Sequence, residues 1–314
     1  MTKIEDGVQI IGSTERQIKT IGTIPTLNSG SAFALSHIGK IKDPILVSSM
    51  SNVGTKIRLA RSLNRQETLG RDLVAIATNR ILCFGALPLT FQLTLTLPEA
   101  NSEIADATVK GVIDGCQSAS CSFTSLELRE APEVVNKLDL SGTMIGAVAR
   151  TQLIDGTDIE AGDYLVGIPA SGPHTSGFNK INQLFDTGLI HAQEEFEGGS
   201  IFDALCSPTV IYAQTLRPVF ETHADVINGV VHIEDNGLYS ISKALPKGLD
   251  FHLEQLWDLP PIFEKLKDVS NSTHLEMQQT FNCGIGMVLI VKRSKANLIS
   301  DFVGGKLIGT ITKK

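Results

Sequence analysis

Pro44-Ile45-Leu46-Val47-Ser48-Ser49-Met50-Ser51-Asn52-Val53-Gly54-Thr55-Lys56 passes from an apolar run into a polar turn that ends on a lysine. The first seven residues are expected to form a buried strand, because a short apolar run bounded by turn residues reads that way. Downstream, Leu69, Leu73, Ile76, Ala77, Ile81 and Phe84 recur at helical spacing. Residues 66–85 are therefore expected to form a helix with one core-facing side, stopped by Gly85 and Pro88. Residues 90–97 alternate, with Phe91, Leu93, Leu95 and Leu97 set against Thr90, Gln92, Thr94 and Thr96. That is the period of a strand with one buried face. A helix over 103–119 and strands at 143–149 and 164–169 complete the first half.

Around residue 168 the pattern changes. Ser171-Gly172-Pro173-His174-Thr175-Ser176-Gly177 is a dense turn signal. Helices follow near 176–187 and 208–223, with strands near 230–233 and 286–291. The boundary is set at 168, giving domains 1–168 and 169–314, each mixing helices and strands; the fold class is α+β.

The bulk numbers fit this picture. A chain of 314 residues suits two domains, and 42 % hydrophobic with 19 % charged residues is the balance of a folded protein. A formal charge of −7, with both signs mixed along the chain, argues against a nucleic-acid groove. No apolar run of about 18 residues is present to span a membrane. Met1 to Gly7 lacks a signal-peptide core, and five scattered cysteines argue against a disulfide framework or zinc site. The expectation is a cytoplasmic protein. Generic motifs are silent. Gly54-Thr55-Lys56 is out of frame for a phosphate loop, and Gly284-Ile285-Gly286 lacks the third glycine of a dinucleotide fingerprint. No nucleophile elbow or metal-spaced histidine set occurs.

Five blocks, in order, nevertheless resemble the phosphoribosylformylglycinamidine cyclo-ligase (aminoimidazole ribonucleotide synthetase) family. Pro44 to Lys56 resembles its strand and Thr-Asp-Gly-Val-Gly-Thr-Lys loop. Gly70 to Asn79, running on to Gly85 and Pro88, resembles its long N-domain helix. Ser171 to Gly177 resembles its Ser-Gly-Pro-His-Ser-Asn-Gly turn. Pro208 to Tyr212 and Thr280 to Met287 match two further signatures. The resemblance implies a two-domain α+β fold and an ATP-dependent ring closure in purine biosynthesis. It also implies homodimers in which N-terminal sheets pair into a barrel. Strand 90–97 would suit that interface or serve as an ordinary core strand.

Several family positions differ. Thr-Asp-Gly becomes Met50-Ser51-Asn52, and an Asn-Asp pair becomes Asn79-Arg80, so Ser51 and Arg80 occupy the positions of family carboxylates. Magnesium prefers oxygen ligands including carboxylates, and a guanidinium repels it. Glycine-rich segments become Ser31-Ala32-Phe33-Ala34, Ser125 to Pro132, and Glu234-Asp235-Asn236-Gly237-Leu238. Side chains there restrict left-handed backbone and close phosphate approach.

Gly54, Thr55, Lys56, Asp72, Asn79 and Glu127 remain as nucleotide-binding remnants, and Glu130, His174 and Asn282 also survive. Lys56 and His174 are the catalytic candidates. Lys56 reads equally as an anion contact or a solvated surface lysine, and His174 as the holder of its turn. Asp72 and Asn79, seven apart, share a helix face, which also suits capping or surface pairing. Glu127 reads as a leftover carboxylate or a loop glutamate.

The preferred reading is a non-catalytic paralogue with no cofactor and no metal. It would pair as a homodimer or with an active family copy, or form part of a longer multifunctional purine enzyme. The alternatives are a divergent active cyclo-ligase using ATP and Mg²⁺, and a metal-free nucleotide or anion sensor. No nucleic-acid or membrane partner is expected.

Overall fold

A computed structural model describes residues 38–99, 101–135, 137–254 and 258–314, together with a short strand pair at Thr23–Ile24 and Ala32–Phe33. The expectation for Ser31 and Ala34 lies outside the described residues. The chain divides into two units. The first comprises the described residues up to Leu82, Ala86–Leu153 and Ile211–Gln214; the second comprises Cys83–Gly85, Ile154–Val210 and Thr215–Lys314. The change of unit thus follows Leu153, earlier than residue 168.

In the first unit, strands β1 (Pro44–Asn52), β2 (Leu87–Leu97), β3 (Ser122–Glu130) and β4 (Asp139–Ala149) form one sheet in the order β1-β4-β2-β3. β1 and β2 each pair antiparallel with β4, while β2 and β3 run parallel. A parallel pair needs a crossover, and helix α3 (Ser102–Ala119) supplies it. Helices α1 (Lys56–Ser62) and α2 (Gln66–Leu82) precede β2. The apolar row Phe91, Leu93, Leu95 and Leu97 is buried in the unit's own core with Leu69, Leu73, Val112 and Met144. That row is therefore a core face, and it is the hydroxyl face of β2 that lies away from the helices.

β1 differs from its expected form. It is an edge strand with alternating burial: Leu46 is 61 % and Met50 75 % exposed. An apolar run alone cannot tell a buried strand from an edge strand whose second face lacks a covering helix.

Two glycines explain how closely α2 and α3 approach. A Cβ on Gly70 would fall on the Thr108 carbonyl, and one on Gly111 on the Glu67 carbonyl. The α3 helix ends at Ser120, left-handed at φ 56°, whose amide reaches the Cys116 and Gln117 carbonyls, and Cys121 N donates to Cys116 O at 3.0 Å. Such a C-cap brings its flanking apolar residues together, which accounts for the buried Cys116 and Cys121. Burial and the Cys121 contact push the Cys116 thiol well up.

The second unit is built on an antiparallel five-stranded sheet. Its strands are β5 (Tyr164–Pro169), β6 (Ile227–His232), β7 (Leu249–Leu253), β8 (Ile285–Val291) and β9 (Lys306–Lys313), in the order β6-β8-β5-β9-β7. Residues 164–169 were read as the end of the first half, but β5 is the middle strand here, between β8 and β9. Every residue of β6 and β8 is buried. Helices α4 (Phe178–Asp186), α5 (Ile201–Leu205), α6 (Ala213–His223), α7 (Pro261–Ser270), α8 (His274–Thr280) and α9 (Ala296–Val303) are the further α-helices among the described residues. Among the described residues no helix is long and apolar enough to cross a membrane.

Candidate functional site

In the first unit the turn after β1 places the retained residues. Asn52 Oδ1 accepts from Gly54 N at 3.0 Å, and Gly54 takes φ +57°, turning the chain into α1. Lys56, the first residue of α1, then points inward. Its Nζ lies 2.7 Å from Asp72 Oδ2, with both side chains 0 % exposed. Lys56 is therefore not a solvated lysine, and Asp72 is not a helix-surface partner. A charge that leaves water must be paired, and each of these two supplies the other's partner.

Asn79, two turns further along α2, is also fully buried and accepts the Tyr212 amide at 3.1 Å. Tyr212 lies in the Ile211–Gln214 segment, where Gln214 Nε2 donates to Ser120 Oγ at 2.6 Å. Burial drives the Tyr212 phenol far up, so it stays neutral. Periodicity carries no signal for such a contact, since its residues stand 133 apart.

Arg80, in the last turn of α2, reaches the end of β1. Its Nη1 donates to Met50 O at 3.0 Å and to Ser51 Oγ at 3.2 Å. The two positions that the resemblance gives to carboxylates thus bond to each other, with a cation on one of them. Glu127 lies elsewhere. It sits on β3, at the opposite edge of the sheet from β1, is 56 % exposed, and pairs with Arg129 Nη2 at 2.6 Å. The sheet brings Lys56 with Asp72 and Ser51 with Arg80, and leaves Glu127 apart.

In the second unit the 171–177 turn is held by its own side chains. His174 takes φ 57°, and its Nε2 accepts from Ser171 N at 3.3 Å and Val210 N at 3.4 Å. Accepting through Nε2 puts the proton of a neutral ring on Nδ1. Ser171 Oγ donates to Pro208 O at 2.7 Å. Ser176 Oγ reaches the carbonyls of Glu234 (3.0 Å) and Thr280 (3.2 Å). Asn282, buried, donates to Gly172 O at 2.9 Å and accepts from Gly284 N at 2.9 Å. Burial raises the neighbouring Cys283 thiol to about 12. His232 Nδ1 lies 2.7 Å from Glu234 Oε1, so the acidic residue that entered the 234–238 segment is engaged by a strand histidine. Sequence reading missed that pair, and a strand histidine two residues before a glutamate was the available signal. In these loops Ser171, His174, Ser176 and Asn282 all engage backbone groups.

Residues 35–148 match the N-terminal domain of AIR synthase related proteins, and residues 160–314 match the C-terminal domain of the same family. The chain belongs to the AIR synthase related family. It is 36 % identical over 265 residues to phosphoribosylformylglycinamidine cyclo-ligase of Xylella fastidiosa (strain 9a5c), covering 83 % of this chain and 75 % of that protein. Against the cyclo-ligase of Xanthomonas euvesicatoria pv. vesicatoria it is 36 % identical over 272 residues, covering 85 % and 79 %. This AIR synthase relative also shares its fold with solved structures at low identity. E. coli HypE superposes with a TM-score of 0.70 at 14 % identity, covering 98 % of this chain and 91 % of that one. Thiamine-monophosphate kinase from Stenotrophomonas maltophilia gives 0.66 at 14 %, covering 96 % and 92 %. Hydrogenase maturation protein HypE in complex with ATP gives 0.68 at 13 %, covering 96 % and 83 %.

Proposed function

We propose that this chain is a non-catalytic AIR synthase relative of cytoplasmic purine biosynthesis whose role is structural. It pairs with a second copy, or with an active family member, through the sheet of its first unit. One observation carries the reading: Arg80 Nη1 lies 3.2 Å from Ser51 Oγ. MgATP, which the family implies, does not fit these two residues. A magnesium ion near phosphate takes carboxylate oxygens, and here a hydroxyl and a guanidinium stand instead. Among the described residues no group of three or more His, Cys, Asp or Glu side chains is arranged around a metal-sized site. The pairing is supported by β1, a sheet edge carrying the exposed Leu46 and Met50. Edge strands are templates for a further strand.

Titration calorimetry with MgATP up to millimolar concentration, alongside sedimentation velocity, tests both parts. A dimer with no binding heat is expected. Tight magnesium-dependent ATP binding refutes the non-catalytic part, and a monomer at all concentrations refutes the pairing.

The identity of 36 % to cyclo-ligases over 83 % of the chain favours a second reading, a divergent active cyclo-ligase. There Arg80 neutralises phosphate charge directly through paired hydrogen bonds. It predicts ATP- and substrate-dependent phosphate release that Arg80→Ala abolishes.

A further inference from the structure

We propose that the Arg80 guanidinium is a built-in cation that fastens the end of edge strand β1 to helix α2, in place of a bound divalent ion. The inference rests on the reading that no such ion is held at Ser51 and Arg80. Among the described residues β1 has a ladder partner on one side only, β4. Its apolar residues Ile45 and Val47 pack on the core of the first unit, but beyond them the inward positions are Ser49 and Ser51. Apolar packing therefore stops before the strand does, and polar contacts take over.

Those contacts form two successive rungs. Ser49 Oγ donates to Ala77 O at 2.8 Å, and Arg80 Nη1 donates to Ser51 Oγ and Met50 O. Ser49 and Ser51 are two apart, on one face of the strand; Ala77 and Arg80 are three apart, on one face of the helix. The second rung holds two uncharged oxygens around a single positive head. Without a carboxylate these oxygens would hold a divalent ion poorly, and the tethered guanidinium supplies the charge instead. Arginine suits the task because Nη1 alone carries two N–H donors, one for each acceptor, and the guanidinium stays charged at every working pH. The strand end is thereby held whatever the divalent ion concentration.

Hydrogen exchange and thermal unfolding of the full chain, with no nucleotide, test this. The wild type is expected to keep one Tm in millimolar Mg²⁺ and in EDTA. Arg80→Ala should raise exchange about tenfold at those amides among Met50, Ser51 and Asn52 that donate across the ladder to β4, the scale of a lost charge-assisted hydrogen bond. Arg80→Lys should recover part of that protection. The double variant Ser51→Asp with Arg80→Ala should regain protection on adding Mg²⁺. Unchanged exchange in Arg80→Ala, or a wild-type Tm that rises with Mg²⁺ and falls with EDTA, overturns the proposal. Should Arg80→Ala fail to fold, Arg80→Gln, which keeps N–H donors and loses the charge, decides: wild-type exchange at those amides overturns the proposal, and faster exchange supports it. None of these readings involves turnover. Catalysis by a chain that passes them refutes the non-catalytic reading and leaves the fastening in place.

Discussion

Lys56 Nζ and Asp72 Oδ2 lie 2.7 Å apart with neither side chain exposed, so the lysine that looks most like a ligand contact is an internal tie between α1 and α2. Removing one partner of a buried pair leaves the other charge uncompensated, a loss of ~3–5 kcal/mol. Lys56→Met and Asp72→Asn should each lower the unfolding free energy from urea titration by an amount in that range, and the midpoint with it. The double variant Lys56→Met with Asp72→Leu should recover much of the loss. A single variant with a wild-type midpoint contradicts the assignment.

Asn79 should behave as a backbone anchor. Its Oδ1 satisfies the buried Tyr212 amide, and Asn79→Ala strands that donor at about 1–3 kcal/mol. Exchange of the Tyr212 amide is the direct readout, and it should quicken in step with the loss of stability. If stability is unchanged and only ligand binding suffers, Asn79 is a site residue after all.

The fold is legible in the sequence wherever burial is periodic. Residues 90–97 declare themselves because their apolar row meets a single core. The helix Gln66–Leu82, in contrast, is buried nearly all round rather than on the one face expected, and Phe84 lies beyond its end, exposed. β3 escapes notice because Ser122–Glu130 is a largely polar edge strand, and β9 because Lys306–Lys313 mixes lysines and threonines into its run. The strand Tyr164–Pro169 is readable as a strand, but its membership of the second sheet is a long-range fact, set by pairing with residues more than a hundred positions away. The same distinction governs the site. That Ser51 and Arg80 stand where the family resemblance expects carboxylates is read from the chain, whereas their mutual contact and the burial of Lys56 depend on which elements pack together.

Acid should weaken the folded state through three engaged carboxyls. The Thr273 amide and hydroxyl hold Glu276 below its ordinary 4.5, Lys265 does the same for Glu194, and Thr157 holds Asp155 below 3.8. A folded-state value below the unfolded one means that the unfolded chain binds more protons in the acid range. The stabilisation is therefore complete above about pH 5 and is lost as pH falls through the unfolded and then the folded values. Asp106, raised by burial, works in the opposite sense. Urea midpoints measured across the acid range should fall with pH, and Glu276→Gln should flatten part of that slope. A midpoint independent of pH there contradicts the hold on these three carboxyls.

Gly237 sits at φ 53°, and a Cβ there would meet the carbonyls of Gln278 and Phe281. Gly237→Ala should therefore destabilise by more than the roughly 1 kcal/mol of an ordinary glycine change, because backbone must move. Cys283, with its thiol held near 12, should resist iodoacetamide at neutral pH until the second unit unfolds. Thermal melts of the glycine variant and mass spectra of the alkylated native protein check these two points.

Phosphate release from MgATP with formylglycinamidine ribonucleotide is the most direct trial of the exchange of carboxylates for Ser51 and Arg80. A chain that has lost its metal ligands should release no phosphate above the enzyme-free blank, at any magnesium concentration. Sustained, substrate-dependent release by the wild type, abolished in Arg80→Ala, would contradict it.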